Sequence, residues 1–426
     1  VAVGSRAADA ATVTSYLTCV GYNAGTAIDS ADADATTAIG KSALAALTSG
    51  QGSTALGNNA SLSVTTGDYN TSLGFNAGKF NQTGSNNTYV GNSAGLGTVI
   101  GSPESHSGCV YIGTNAGLVA GTGANNIAIG YGAFDDNDGS NVSSGSAADV
   151  GTSAENIFIG LNSGGGNWCN STAALASNYN VAVGNNTLDA DMSGALNNTA
   201  VGYSALGAVT TGDNNVAVGS TSGDAITTGY ENVCIGKNAG GNFDAEILNV
   251  FIGQDSGGGA INGADKCVAV GAGSLQGAAT NDGTVAIGYS ALNALTSGAG
   301  NVAIGYLAAD SLTTGTTNTI VGNDAFGSAS GGESDNVAIG YGSMANANDD
   351  NFDGNVAVGA NTLASIGTNA HAGTVAIGHN ALTANTSGTG NTAVGWSAGG
   401  ALTTGENNTA LGYGALDGGT TETDDN

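Results

Sequence analysis

Positive charge is nearly absent from this sequence. Its 426 residues hold five lysines and arginines against 33 aspartates and glutamates, for a net charge of −28. Nucleic-acid binding needs a basic stripe that displaces counterions from phosphates, so this balance argues against such a partner, and against an anionic membrane surface for the same reason. Charge of either sign is scarce, at 9% of residues. No apolar run approaches the ~18 residues of a membrane-spanning helix, so no insertion into a membrane is expected. There is one proline, Pro103. The five cysteines, Cys19, Cys109, Cys169, Cys234 and Cys267, include no C-x-x-C pair and are odd in number, which points to small packed side chains rather than a disulfide framework or a metal site. Histidines are three, His106, His371 and His379, none beside a cysteine or a paired carboxylate in sequence.

Glycine is abundant, with 75 residues, yet it does not recur every third position, which excludes collagen. It marks a longer period. Thr284–Thr317 contains two adjacent 17-residue units, and a unit of this kind recurs 23 times, tracked by a glycine from Gly4 to Gly412. With that glycine at position 5, position 1 is usually Asn and position 2 is Val, Ile or Thr. Position 3 is usually Ala, position 4 is Val, Ile or Leu, position 8 is Ala, Ser or Thr, and a second glycine often stands at 15. Most steps are 17 to 19 residues. A fixed period of this size predicts a repeat architecture in which each unit packs only on its neighbours.

Positions 2 to 4 read as a short β-strand, because β-branched residues suit a pleated surface. Gly at 5 and 15 offers positive φ at turns, and Asn at 1 or just before it tolerates the left-handed conformation. Two glycines per 17 residues are unfavourable in a helix. The expected fold is all-β: a single continuous parallel β-solenoid, a β-roll or β-helix of about 23 coils over 1–426. Insertion loops are expected near 101–108, 131–156, 161–180 and 324–354. Alternation puts 2 and 4 on one face and 3 on the other. The larger 2/4 face is expected inside, and the Ala-lined face outside against a second chain. The bulky exceptions at position 3, Tyr89, Tyr111, Phe158, Phe251 and Ile320, fit that arrangement least well. A monomeric triangular β-helix is the rival architecture.

The phrases Asn198–Leu206 and Asn301–Gly305 resemble the head repeats of trimeric autotransporter adhesins, and also repeats of phage tail fibres and large bacterial surface proteins. The resemblance implies a left-handed parallel β-roll in a homotrimer, placed extracellularly on a cell surface or virion. Val1 begins inside a unit, so a processed or partial piece of something longer is expected.

The function expected is a structural or adhesive fibre segment rather than an enzyme, with itself as partner and a host-surface glycan or receptor as a second one. G-x-S-x-G at Gly91–Gly95 and Gly395–Gly399 falls on the repeat register without the strand-to-helix context of a nucleophile elbow. A polysaccharide-binding or polysaccharide-degrading solenoid is the alternative. Ice binding needs a flat threonine ladder, and the pairs before the second glycine, as at Thr313–Thr314, are too irregular for it. No cofactor is expected, although the acidic loops Asp135–Asp138 and Asp349–Asp353 carry oxygens of the kind calcium takes. Position 6 is often aromatic. Adjacent coils should set Tyr289 over Tyr306 and Trp396 over Tyr413, either to lock register or as a ladder that binds sugars or a receptor.

Overall fold

The computed structural model describes residues 1–12, 16–97, 105–118, 123–135, 153–166, 175–259, 263–277, 279–366 and 370–418. It is a parallel β-solenoid, and among the described residues the one helical element is the short 3-10 turn Ala31–Ala33. Backbone contacts group the chain into two compact units, 1–228 and 229–426. In the first, the strand Ala2–Val3 covers positions 3 and 4, and every later copy from Thr18–Val20 to Val216–Val218 has a strand at positions 2 to 4. In the second, the same holds from Val233–Ile235 to Thr409–Leu411. Within each unit a strand pairs in parallel with that of the next coil, and like pairs with like: Thr199 with Val216 and Ala200 with Ala217, or Val285 with Val302 and Ala286 with Ala303. Of the expected insertions 101–108, 131–156 and 161–180, residues 101–104, 136–152 and 167–174 lie outside the described residues, among them Pro103, Cys169 and Asp138.

Backbone bonds run to both neighbouring coils around the ring. The N–H of Thr199 donates to Asn215 O at 2.8 Å, one coil ahead. Those of Gly202 and Ser204 donate to Val183 O and Asn185 O, one coil behind, at 2.9 and 3.0 Å. These bonds satisfy the polar groups of a coil that is mostly turn.

The faces of the strand are the reverse of those expected from side-chain size. Position 3 is interior: Ala182, Ala200, Ala286 and Ala303 are fully buried. Positions 2 and 4 look outward, and Val201, Val218, Ile235 and Ile304 are 36–38% exposed. The aliphatic core comes from the far side of the coil, from Leu at 9 and Leu, Val or Ile at 12, as in Leu206 with Val209 and Leu292 with Leu295, all fully buried. These side chains cross the interior and meet the strand, leaving room there for a methyl group.

The bulky residues at position 3 obey the same geometry. Tyr89, Tyr111, Phe158 and Phe251 are fully buried, and their coils carry Gly95, Gly117, Gly164 and Gly257 at position 9, where coils such as those of Leu44, Leu206, Leu292 and Leu363 carry Leu. A Cβ on Gly95 or Gly117 would stand 2.5 Å from the ring of Tyr89 or Tyr111. In these coils the slot is filled from position 3 and in those of Leu206 and Leu292 from position 9, whereas the coil of Ile320 buries Phe326 at position 9 as well. The expected contact between chains through the alanine face is therefore corrected, because that face is the core of the coil.

Asn at position 1 also points inward. Asn198, Asn215, Asn301 and Asn318 are fully buried. The Nδ2 of Asn318 donates to Glu333 O at 2.8 Å and to Asn301 Oδ1 at 3.0 Å, and its Oδ1 accepts from the N–H and Nδ2 of Asn336. The left-handed residue is the one before it, such as Asn197, Asn214, Glu231 or Thr317. Position 17 thus tolerates many side chains, while position 1 carries a buried amide ladder.

Gly at position 5 has φ between +120° and +152°, and a Cβ on Gly202 or Gly305 would land on the glycine carbonyl of the next coil. Gly at 15, as in Gly298 and Gly388, is not held there by positive φ. A Cβ would strike the carbonyl of Gly315 or Gly405 instead.

Candidate functional site

The corner after the position-5 glycine carries position 6 outward, since the chain leaves the strand there and turns away from the core. Tyr289 and Tyr306 stack with ring centroids 5.4 Å apart and planes 15° apart, and remain 54% and 51% exposed. Trp396 lies over Tyr413 at 4.9 Å and 8°, and His379 over Trp396 at 6.0 Å and 6°. All four expected site residues are thus paired as their register implied, in the second unit. In the first unit Tyr22, Phe75, Tyr131 and Tyr203 occupy the same corner as exposed single rings, because adjacent copies carry Lys41, Asn58, Asn92, Leu161, Asn185 or Ser220 there. A stacked ring has one face against its neighbour. Beyond the pair, Tyr289 adjoins the coil of Ala272 and Tyr306 that of Asn323.

The threonines before the second glycine serve the backbone. Thr296 and Thr313 donate from Oγ1 to Thr313 O at 2.9 Å and to Ser330 O at 2.7 Å. Their hydroxyls are used within the coil stack.

Carboxylates of the second acidic loop are turned to amides. Asp349 Oδ1 accepts from Asn351 N at 2.8 Å, Asp350 Oδ1 from Gly332 N at 2.9 Å, and Asp353 Oδ1 from Ser334 N at 2.7 Å. Phe352, between them, is buried in the core, and Phe352–Asp353 pairs with His371–Ala372 in a small parallel sheet. Among the described residues no three His, Cys, Asp or Glu side chains converge as a metal-binding group. Asp135 is buried, and the rest of the first acidic loop lies outside the described residues.

Cys19, Cys109, Cys234 and Cys267 are buried thiols outside any disulfide, their pKa raised by burial, at positions 3 and 1 as expected of small packed side chains. His106 and His371 stand at position 15 with their rings in the core, and burial lowers the pKa of both. The exposed aliphatic sheet face was missed by the sequence reading, although its signal was there: no copy carries a charge at position 2 or 4.

No protein-family model and no curated protein matches this chain. Among the described residues no helix is long and apolar enough to cross a membrane.

Proposed function

We propose that this chain is a structural and adhesive segment of an extracellular fibre, on a cell surface or virion, of the kind the adhesin-head and tail-fibre repeats represent. It assembles with copies of itself, three in the arrangement that resemblance implies. The observation that carries the reading is the register. A coil repeated through each unit holds aromatic rings outward at one fixed corner, on a backbone bonded on both sides. Half-exposed aromatic rings suit the apolar faces of sugar rings, which gives a host-surface glycan as ligand. Repeated weak contacts on one stiff support add through effective concentration.

The test is a glycan array probed with the protein, with Tyr289→Ala/Tyr306→Ala and with Trp396→Ala/Tyr413→Ala. Each pair is expected to lower the retained signal several-fold, and the two together to abolish it. Equal signal from all four proteins would overturn the aromatic corner as the contact. Shortening of a bound polysaccharide on incubation would overturn the purely structural reading in favour of a degrading solenoid.

A further inference from the structure

We propose that the strand face built from positions 2 and 4 is a self-association surface, and that its occupant is the same face of a second copy of this chain. The inference rests on the self-assembly part of the reading above, and places the contact on the face opposite the alanines.

Composition gives the first argument. Positions 2 and 4 hold only Val, Ile, Leu and Thr in all 23 copies. Strand propensity favours such residues, yet a strand face left in water also admits Lys, Glu, Gln and Asn, and none occurs here. In a chain carrying −28 the exclusion is pronounced. Carboxylates stand elsewhere on the coil, as Asp213, Glu231, Asp310 and Asp324 do, so two such faces can meet with their acidic residues away from the seam.

Topology gives the second. Parallel sheets with crossover helices have both faces covered by them, and among the described residues no α-helix covers this one. Here the inner face is covered by Leu at 9 and 12, while Leu56, Val201, Val218, Ile304 and Ile377 are 36–44% exposed on the outer one. At about 100 Å² of open aliphatic surface per coil, each unit presents on the order of 1,000 Å², above the few hundred of an ordinary monomer's largest patch and near the ~800 Å² that each partner gives a standard interface.

Period selects the occupant. Side chains on this face form ridges one strand spacing apart, about 4.8 Å, with grooves between them. Dense packing needs a partner surface with the same repeat over many coils. A second copy has that repeat by construction, and sheets of matching direction pack about 10 Å apart.

The experiment is the mass in solution by light scattering and sedimentation. It compares the protein with Val201→Lys/Val218→Lys/Ile304→Lys/Ile339→Lys and with the milder Thr variant at the same four positions, each checked by circular dichroism. Wild type is expected at a multiple of the 40.6 kDa chain mass. The Lys variant is expected at the single-chain mass with an unchanged spectrum, and the Thr variant to dissociate at least tenfold more readily than wild type. If the Lys variant loses its spectrum, the Thr variant decides. A wild-type protein of single-chain mass up to about 50 µM, the range of weak association, would overturn the proposal. So would Thr or folded Lys variants that assemble as wild type does, which would place any assembly on another surface. Glycan retention by the dissociated variant is read separately, so loss of sugar binding and loss of self-association are distinguishable.

Discussion

At the scale of single residues, the strict positions are those whose side chains, or lack of them, meet the next coil. Asn318 ties a backbone carbonyl, the amide below it and the amide above it in one buried ladder, so an apolar substitute would leave several polar groups unpaired. His106 is the residue through which pH acts most plainly. It lies between Tyr89 and Tyr111, with ring centroids 5.6 and 5.9 Å away, and its Nε2 is 3.3 Å from the Tyr89 hydroxyl. Burial pushes its pKa down to about 4, against an ordinary 6.5. Between those values the unfolded chain takes up a proton that the folded chain refuses. The contribution is therefore full above pH 6.5, is lost as pH falls towards 4, and is flat below, a change of about 3 kcal/mol. NMR of the imidazole is expected to show a neutral ring at pH 5, and a charged ring there would mean that the core admits water. Asp189, half-buried, runs the other way: burial raises its pKa to about 6, so its strain is relieved as pH falls through that value.

At the scale of the coil, positions 3 and 9 share one volume, and this makes a sharp test. Phe251→Ala alone should leave a cavity costing about 3–5 kcal/mol. Gly257→Leu alone should overfill the slot, since a Cβ there already stands 2.7 Å from the Phe251 ring. Together they recreate the Ala269 and Leu275 of the next coil. Leu275 shows that leucine accepts the left-handed backbone at position 9, with φ of 48°. The double variant is expected to recover at least half of the loss, read as hydrogen-exchange protection of the Val250–Ile252 amides; additive losses would refute the shared slot. Much of the coil was legible in the sequence. The period, the strand at positions 2 to 4, the glycine corner and the Tyr289–Tyr306 stack all follow from spacing and residue type. Which strand face is inside was not, because alternation defines two faces without a sign. Size suggested Val and Ile, but the interior is filled from across the coil by Leu at 9 and 12. The trade of Tyr89 with Gly95, and of Phe158 with Gly164, carried the answer in pairs six residues apart. The inward rings of His106, Phe352 and His371 were hidden because the longer units read as surface loops. For the candidate site, register gave the pairing of rings, while their exposure required the structure.

For the whole molecule, the dominant quantity is a net charge of −28 beside a charge-free sheet face. Charge repels copies at long range, whereas the face attracts them on contact. Association is therefore expected to strengthen as salt rises from about 20 mM to 500 mM, because the Debye length shortens from roughly 20 Å to 4 Å and the repulsion is screened. Sedimentation at the two salt concentrations checks this; dissociation in high salt would indicate an ion-paired contact instead. The column of position-5 glycines, each with its carbonyl under the next, has a further consequence for how the gene can change. Because that contact is the same at every rung, an in-frame duplication of one unit's codons adds a coil whose neighbours cannot tell it from the original. Loss of a single codon between positions 1 and 5 instead turns every later side chain of that strand to the wrong face. Between positions 10 and 16 the units already differ in length. Mutational drift should therefore accumulate as whole coils and as longer or shorter turns in that arc, leaving the strand and its glycine corner intact.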